Sequence, residues 1–385
     1  MQGRKSLENS PAVAGALVRG PSATLSGMSL FEFHRTDHPT PDAERASVVA
    51  NPVFGRFFTD HMAIADYTHG RGWHDARIVA TDRWQLHPAA AVLHYGQEIF
   101  EGLKAYRHAD GSVWLFRPEM NARRFVHSAD RLEMAPLPVE LFLASLDELV
   151  ALEQAWVPQP DGEQSLYLRP FEIANEPYLG VREATQYIYG LLASPAGAYY
   201  PAPVKLWVTP NYTRAAPGGT GTAKCGGNYA ASLAAAKEAA DNGCGQVLYL
   251  DGAEHRWLEE CGTMNFMMVT ADGQLVTPAL GSILEGVTRD SLLTLAADHG
   301  LTAVQRPIAF DELRAGLASG QITEAFACGT AAVITPIVGF NSPEHGEQPV
   351  ADGEPGPRTK ELREHLLDIQ YGRAEDRLGW MRRVA

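Results

Sequence analysis

The sequence predicts an α+β protein of two domains. Its 385 residues suggest two domains at roughly 150 residues each, and 45% of them are hydrophobic, which is enough for two cores. Strand-like segments, hairpin turns and amphipathic helices occur in both halves of the chain. Neither a repeat period nor the regular strand and helix alternation of a doubly wound sheet is present, so that α/β class is disfavoured.

Composition argues against several classes of protein. Acidic residues number 46 and basic residues 32, the net charge is −14, and no basic stripe is interleaved with aromatic residues, which disfavours a nucleic-acid partner. No apolar run approaches the roughly 18 residues that span a bilayer, so we expect no membrane insertion. Four cysteines without a C-x-x-C pair or a histidine cluster indicate a reducing, cytoplasmic location and no metal site: Cys225, Cys244, Cys261 and Cys328.

The first domain is predicted at residues 28–194, after a disordered tail at residues 1–27. The tail is rich in Gly, Ala, Ser and Pro and lacks the long apolar segment of a secretory signal; a transit peptide and a start codon upstream of Met28 are alternatives. The predicted elements are a strand in Ala76–Pro88, a hairpin over Leu103–Phe116 that turns at Asp110-Gly111, a helix that begins at Pro118, an amphipathic helix with Phe142, Leu146, Leu149 and Val150, and strands Ser165–Ala174 and Tyr187–Ser194.

Backbone-breaking residues at 195–203 predict a linker, and the second domain follows at 204–385. The elements predicted there are strand Val204–Thr209, a glycine-rich loop at Pro217–Gly227, helix Asn228–Asn242, hairpin turns at Asp251-Gly252 and Asp272-Gly273, and helices Val287–His299, Asp311–Ala318 and Thr359–Gln370.

The glycine-rich loop carries Lys224, one of only six lysines in the chain. Glycines let the backbone approach a ligand closely, so this lysine is a candidate nucleophile or phosphate contact. A nucleotide-binding P-loop would need G-x-x-x-x-G-K-[ST], but Ala223 precedes the lysine and Cys225 follows it. A surface loop with a solvated lysine is the simpler alternative. Three later segments place small or hydroxyl residues beside glycine, where backbone N–H groups can hold an anion, and they favour a phosphorylated cofactor: Glu259–Asn265, Leu284–Arg289 and Cys328–Ala331.

From about residue 50 to its C terminus the sequence resembles the branched-chain amino acid aminotransferases, which are pyridoxal-5′-phosphate (PLP) enzymes of fold type IV. The resemblance implies a smaller N-terminal α/β domain, a larger C-terminal pseudo-barrel domain, PLP in the cleft between them, and a homodimer. The segments that carry it are Phe100–Tyr106, Leu115–Pro118, Asn175–Pro177, Lys224–Tyr229 and Glu260–Asn265.

The resemblance also implies residues that hold the cofactor. Lys224 would form the Schiff base with PLP and move the proton at the substrate's α-carbon. Glu260 would face the pyridine nitrogen, Tyr229 would donate to the ring oxygen, and Arg124 would bind the phosphate. Without the resemblance, Arg124 would be interpreted as a charge on a helix surface. The further cofactor contacts that it implies are Thr263, Leu284, Gly286, Val287, Thr288 and Thr330.

For the substrate, the resemblance implies an apolar pocket with a cation for the side chain of glutamate. Arg169 lies two residues after Tyr167, on the same face of a predicted strand, and would bind the side-chain carboxylate. Leu179 and Val181 would reach the site of the neighbouring subunit. Each aromatic residue alone would more often be core packing. The pocket residues implied are Tyr95, Phe100, Tyr167 and Tyr199 as walls, with Thr263, Thr330 and Ala331 near the α-carboxylate.

The activity implied is amino-group exchange between leucine, isoleucine or valine and 2-oxoglutarate, by a ping-pong route. Two alternatives are another PLP enzyme of the same fold, such as a D-amino acid aminotransferase or an aminodeoxychorismate lyase, and a non-catalytic scaffold. Animal members carry a Cys-x-x-Cys after the Gly-Thr-Ala turn, but Ala332 and Thr335 stand at those positions here. No disulfide switch is expected at that turn.

Overall fold

The structure is a computed structural model that describes residues 29–160, 162–197 and 202–385. The predicted tail and residues 198–201 of the predicted linker lie outside the described residues. The described part of the chain forms two large sheets, one mostly from the first half and one from the second.

The first sheet has nine strands. Its strands are Glu32–Phe33 (β1), His61–Thr68 (β2), Gly72–Ala80 (β3), Glu98–Phe100 (β4), Leu103–Arg107 (β5), Val113–Phe116 (β6), Ser165–Ala174 (β7), Gln186–Ala196 (β8) and Met381–Arg383 (β18). The order is β1-β3-β2-β8-β7-β5-β6-β18, with β4 also paired to β7, and only β1 and β3 run parallel. The proposed domain boundary at residue 204 is therefore crossed by β18, which returns from the second half to pair with β6.

The second sheet contains a closed barrel. Its strands are Val204–Val208 (β9), Gln246–Leu250 (β10), Leu258–Cys261 (β11), Met264–Thr270 (β12), Gln274–Thr277 (β13), Thr302–Gln305 (β14), Ile322–Gly329 (β15), Val333–Ser342 (β16) and Gly346–Pro349 (β17). The order is β11-β10-β9-β16-β15-β12-β13-β14, and β11 also pairs with β12. This last pairing closes six strands into a ring, so the barrel has no open edge between β11 and β12.

Helices cover both sheets. They are Asp42–Ala50 (α1), Ala91–Tyr95 (α2), Pro118–Arg131 (α3), Val139–Leu152 (α4), Gly226–Ala230 (α5), Ser232–Asp241 (α6), Val287–Leu295 (α7), Phe310–Ser319 (α8) and Pro357–Gln370 (α9), with 3₁₀ turns at Gln154–Trp156 and Ala296–His299. Helices α3 and α4 bury Phe125, Phe142 and Leu146 against Tyr189 of β8, which forms the core of the first half. This packing places α3 beside the barrel.

Several predicted elements are confirmed, and others differ for physical reasons. Strand Ser165–Ala174 and a helix that begins at Pro118 are present as predicted. The predicted strand Ala76–Pro88 ends at Ala80, and the predicted helix Asn228–Asn242 divides into α5 and α6. The turn at Asp251-Gly252 is a longer loop, because the Asp251 carboxylate accepts hydrogen bonds from four backbone N–H groups between Ala253 and Trp257.

Candidate active site

A cavity of about 360 Å³ lies between the first sheet and the barrel. It brings together predicted site residues that are far apart in the sequence and that come from both halves. The predicted residues that line it are Phe100, Arg124, Tyr167, Arg169, Lys224, Tyr229, Glu260, Thr263, Leu284, Gly286, Val287, Thr288, Thr330 and Ala331.

Lys224 occupies the middle of this cavity. Its Nζ donates a hydrogen bond to Tyr229 Oη at 2.6 Å and lies 4.7 Å from the centre of the Phe100 ring. Burial and the nearby Arg124 charge lower the pKa of Lys224 to about 8. Burial raises the pKa of Tyr229 to about 12, so this phenol keeps its proton at neutral pH. The loop therefore presents an amine with a lowered pKa inside the cavity, and the solvated-lysine alternative does not describe it.

The main chain around Lys224 is held by the first half. Phe100 N–H donates to Lys224 O at 2.9 Å, and Lys224 N–H donates to Ser128 Oγ of α3 at 2.9 Å. Gly226 N–H donates to the carboxylate of Glu98, at the start of β4. The Lys224 amine thus belongs to the barrel half, while β4 and α3 determine the position of its backbone.

One end of the cavity, here termed the ring end, is formed by Glu260, Arg214 and Asn265. The β11–β12 hairpin places Glu260 opposite Asn265, with Gly262 at its turn in a left-handed conformation with φ +58°. Asn265 Nδ2 donates to Glu260 Oε1 at 2.9 Å, and Arg214 Nε forms an ion pair with Oε2. Burial raises the pKa of Glu260 to about 7, although the Arg214 charge opposes the rise. Apart from this ionic contact, Oε2 accepts no hydrogen bond from the described residues.

The opposite end, here termed the phosphate end, is formed by Arg124, Glu101 and the first residues of α7. Arg124 donates to both carboxylate oxygens of Glu101, at 2.7 and 2.8 Å, and to the backbone oxygen of Glu285 at 2.7 Å. Val287 and Thr288 begin α7 at the cavity wall, where the first N–H groups of a helix have no partner within the helix. The phosphate end is therefore suited to an anion.

The turn between β15 and β16 places Thr330 and Ala331 at the cavity. Lys104 of β5, which is only 5% exposed, donates from Nζ to the Ala331 backbone oxygen at 3.0 Å. Val333, just after the turn, has φ +59°. This conformation is costly for a β-branched residue, by roughly 1–3 kcal/mol, so the surrounding contacts must hold the turn in shape.

Aromatic rings and Arg169 form the remaining wall. Arg169 Nη2 donates to Tyr167 Oη at 3.0 Å, and the guanidinium lies 4.8 Å from the Phe100 ring centre. Arg169 Nε is buried without a hydrogen-bond acceptor among the described residues. Phe54 packs edge-on against Tyr167, with ring centres 4.8 Å apart. The wall is apolar apart from one incompletely paired cation.

Three predicted substrate residues do not line this cavity. Leu179 is 62% exposed and Val181 is 84% exposed, on the segment after β7. Tyr95 lies beside them rather than in the wall of the cavity, because its Oη donates to the backbone oxygen of Leu179 at 2.6 Å. The prediction of Tyr95 as a wall of the cavity in its own chain is therefore not supported. Tyr199 lies outside the described residues.

Sequence reasoning missed the ion-pair and hydrogen-bond partners of the site residues. Glu101 and Asn265 lie inside segments that carried the resemblance, but no role was assigned to them, and Arg214 was not considered. A buried carboxylate needs a cation or several donors, so two glutamates in these segments could have prompted a search for their arginines. The cavity-lining residues to which no individual role was assigned also include Phe54, Gly102, Met264, Cys328, Gly329 and Ala332.

Two general features complete the description. Within residues 29–160, 162–197 and 202–385, no helix has the length and apolar character that crossing a bilayer requires. The same residues contain no group of three or more His, Cys, Asp or Glu side chains arranged to hold a metal ion.

The chain is similar to known proteins over most of its length. The family described as "Amino-transferase class IV" matches residues 98–340. A protein named "Branched-chain-amino-acid aminotransferase" from Mycobacterium tuberculosis (strain CDC 1551 / Oshkosh) is 53% identical over 368 residues, which cover 93% of this chain and 99% of that protein.

Two solved structures of the T.th. branched-chain amino acid aminotransferase share the fold. One, with pyridoxamine 5′-phosphate, has a TM-score of 0.68 and 28% identity, and covers 84% of this chain and 99% of that chain. The other, complexed with N-(5′-phosphopyridoxyl)-L-glutamate, has a TM-score of 0.68 and 27% identity with the same coverage. Both of those structures therefore contain a phosphopyridoxyl compound.

Proposed function

We propose that this chain, which belongs to the class IV aminotransferase family, transfers the amino group between leucine, isoleucine or valine and 2-oxoglutarate. The relative from M. tuberculosis, at 53% identity, carries the name of a branched-chain-amino-acid aminotransferase. The two half-reactions would use one cavity in turn, which is a ping-pong route. The observation that carries the choice of 2-oxoglutarate is the buried, unpartnered Nε of Arg169 in an otherwise aromatic wall.

The cavity fits PLP as its cofactor. Glu260 Oε2 is buried and accepts no hydrogen bond from the described residues beside its ionic contact with Arg214, so it can accept one from a protonated ring nitrogen. Arg124 and the start of α7 would hold the phosphate, and Tyr229 would donate to the ring oxygen. These polar groups stand at the two ends and the middle of one cavity, as a cofactor with a charged group at each end requires.

Bound PLP supplies an aldehyde that accepts the amino group and a ring that withdraws electrons from the α-carbon. Lys224 would hold the cofactor and then move the proton at the substrate's α-carbon. With a pKa of about 8, roughly a tenth of this amine is neutral at pH 7, whereas an ordinary lysine has well below one part in a thousand neutral. The Tyr229 hydroxyl, 2.6 Å away, fixes the direction of the amine.

Substrate recognition would use two carboxylate positions and one apolar wall. The α-carboxylate would bind at the Thr330-Ala331 turn, which Lys104 holds through its hydrogen bond to Ala331 O. The side chain would extend toward Phe100, Tyr167 and Arg169. Burial of a branched side chain there is favourable by roughly 0.8 kcal/mol for each methylene. A glutamate side chain needs a cation in such a place, and Arg169 offers one with a free donor.

The active form would be a homodimer in the cytoplasm. The segments around α2 and residues 178–181 expose a cluster of large apolar side chains: Leu93, Tyr95, Tyr178, Leu179 and Val181. An exposed apolar cluster is typical of an interface, and a second copy of the chain would cover it while Leu179 and Val181 approach the neighbouring cavity. Replacing Leu179 and Val181 by Asp should shift the sedimentation coefficient to that of a monomer, while Leu152→Asp, at an exposed position at the end of α4, should not.

The test of the proposed function is a panel of single half-reactions. The purified protein is loaded with PLP, and one amino acid at a time is added while the cofactor absorbance reports its conversion to the amine form. Leucine, isoleucine, valine and L-glutamate should each convert it, and 2-oxoglutarate should restore it. Conversion by D-alanine but not by leucine would support a D-amino acid aminotransferase. Failure to bind PLP would support a non-catalytic scaffold. Initial rates at several fixed concentrations of the second substrate should give parallel double-reciprocal lines.

A variant of Arg169 tests the dual recognition. Arg169→Met should slow the glutamate half-reaction by about 10- to 100-fold and spare leucine, because a hydrogen bond to a charged group contributes roughly 1.5–3 kcal/mol. Arg123→Met, which changes an exposed arginine of α3, is the control and should affect neither substrate. Equal losses for both substrates would show that Arg169 supports the tyrosine wall and does not recognise glutamate.

A further inference from the structure

We infer that Glu98 is a positioning residue that holds the backbone of Lys224 in place from the first half of the chain. This inference rests on the proposed function, because Lys224 needs an exact position only if it performs the reaction. Glu98 does not line the cavity, so its role would be indirect. It begins β4, and its side chain lies on the same side of that strand as Phe100, which is in contact with Lys224.

Besides two bonds from Arg131 of α3 to the backbone oxygens of Gly218 and Gly219, three hydrogen bonds connect the lysine loop to the first half at Lys224 and Gly226. Two of them belong to Lys224 itself, one from Phe100 N–H to its carbonyl and one from its N–H to Ser128 Oγ, both at 2.9 Å. The bond from Gly226 N–H to Glu98 Oε1 holds the main chain two residues further on. Glu98 is therefore the third point of attachment.

The contact between Glu98 and Gly226 leaves no room for a side chain at residue 226. A Cβ there would overlap the Glu98 carboxylate and lie 3.0 Å from Glu98 Cδ. At the adjacent Gly227, a Cβ would meet no atom within 4 Å. Neither glycine has a positive φ, so backbone conformation does not require glycine at either position. The two neighbouring glycines thus form a matched pair, one in contact with Glu98 and the other free of it.

Four variants separate the effects of contact, charge and fold. Glu98→Ala removes the acceptor, whereas Glu98→Gln keeps an acceptor oxygen and removes only the charge. Gly226→Ala displaces the Glu98 carboxylate without changing Glu98, and Gly227→Ala is its control. Melting temperatures of all four PLP-loaded proteins would show that each is folded before its rates are compared.

The first measurement is the leucine half-reaction of each PLP-loaded protein. Glu98→Ala and Gly226→Ala should lower the maximal rate by about 10- to 100-fold, because misplacing a reacting group by about 1 Å can cost 10²-fold in rate. The leucine concentration that gives half of the maximal rate should change little. Glu98→Gln and Gly227→Ala should stay within about twofold of the parent. An unchanged rate in Gly226→Ala, or equal losses in Gly226→Ala and Gly227→Ala, would overturn the inference.

The second measurement does not depend on turnover. In the cofactor-free proteins, the labelling of Lys224 by an amine reagent is followed against pH by mass spectrometry, with exposed Lys237 as the internal reference. The midpoint pH of Lys224 labelling should rise only in Glu98→Ala and Gly226→Ala, because in these two variants the amine leaves its buried position. None of the variants alters the groups that face this amine, which are Arg124, Glu101, Tyr167, Arg169, Tyr229 and Glu260. An unmoved midpoint would overturn the inference. A shifted midpoint in a protein that never reacts with leucine would reject the proposed function alone.

Discussion

Each end of the cavity contains an arginine paired with a glutamate, yet the pKa values of the two glutamates are shifted in opposite directions. At the phosphate end Arg124 holds Glu101, and at the ring end Arg214 contacts Glu260. Burial acts to raise the pKa of both glutamates. The Arg124 charge brings the pKa of Glu101 below its usual value, whereas the pKa of Glu260 stays raised, at about 7.

The number of aligned donors explains the difference. Glu101 accepts hydrogen bonds from two nitrogens of Arg124, from Asn121 Nδ2 at 2.7 Å and from Gly102 N–H at 3.1 Å. Glu260 Oε1 accepts from Asn265 and more weakly from Leu284 N–H at 3.3 Å, while Oε2 has its ionic contact with Arg214 but accepts a hydrogen bond from none of the described residues. Glu101 therefore accepts four hydrogen bonds, whereas Glu260 accepts two beside its ion pair with Arg214. Within the proposed function, the cofactor ring nitrogen would be a further donor to Glu260.

The largest expected effect is on the rate of the reaction at the ring end. Glu260→Gln should slow the leucine half-reaction by about 10² to 10⁴, because the ring nitrogen loses its ionic partner at the step where electrons flow into the ring. Cofactor retention on dialysis should change little, since the contacts at the phosphate end survive. Arg124→Ala is the counterpart at the other end and should lose cofactor instead. A near-normal half-reaction in Glu260→Gln would remove the functional distinction between the ends.

The two arginines should also differ in what their loss costs the fold. Arg124→Met leaves Glu101, which is fully buried, without a cation, and should lower the free energy of unfolding by about 3–5 kcal/mol. Arg214→Met should cost less than about 2 kcal/mol at pH 6, because Glu260, with a pKa of about 7, is already mostly protonated there. Urea unfolding of the cofactor-free proteins measures both values. Equal costs would mean that the carboxyl groups are equally charged.

The pH dependence of stability should have opposite signs at the two ends. Glu101 has a lowered pKa, so its stabilising contribution is present above pH 4.5 and is lost as the pH falls through its folded value. Glu260 has a raised pKa, so its charge destabilises the fold progressively between pH 4.5 and about 7, by about 3 kcal/mol at most. Unfolding free energies of the parent, Glu101→Gln and Glu260→Gln at several pH values test this. The same sign for both differences would contradict the comparison.

The smallest expected effect is the loss of stability when either asparagine is replaced. Each glutamate accepts one hydrogen bond from an asparagine side chain. Asn121→Ala should cost about 1.5–3 kcal/mol at pH 7, because its partner Glu101 is ionised there. Asn265→Ala should cost about 0.5–1.5 kcal/mol at pH 6, because Glu260 is then mostly neutral. Chemical denaturation at the stated pH values gives both costs. A larger loss for Asn265→Ala would show that Glu260 is ionised in the cofactor-free protein.

Elements with strong local signals could be predicted from the sequence. Strand Ser165–Ala174 is bounded by turn residues, and the proline at 118 opens α3, so both are found as predicted. Helix α1 was missed because none of its residues is buried, and so no apolar period marks it. The barrel was implied only by the resemblance, because its closure depends on β11 pairing with two strands, and local patterns carry no information on such pairing.

The residues of the site also divide into those that could be predicted and those that could not. The resemblance named Lys224, Glu260, Tyr229 and Arg124, and the structure brings all four into one cavity. Their supporting contacts join residues that are 23 positions apart for Arg124 and Glu101 and 128 apart for Gly226 and Glu98. No periodicity connects residues at such separations: the first contact depends on the packing of α3 against the segment after β4, and the second on the docking of β4 against the lysine loop. Roles that the resemblance implies were therefore predictable, whereas the residues that orient the site side chains were not.

The attachment of the Lys224 main chain to β4 and α3 has a consequence for refolding. Before the two halves dock, these hydrogen bonds are not formed, so we expect the lysine to be exposed to water with an ordinary pKa of about 10.4. Covalent uptake of PLP, and the colour it brings, then waits for docking and does not follow the earlier formation of helices and strands. Stopped-flow refolding in the presence of PLP should accordingly show the far-ultraviolet circular dichroism signal recovering before the cofactor's visible absorbance.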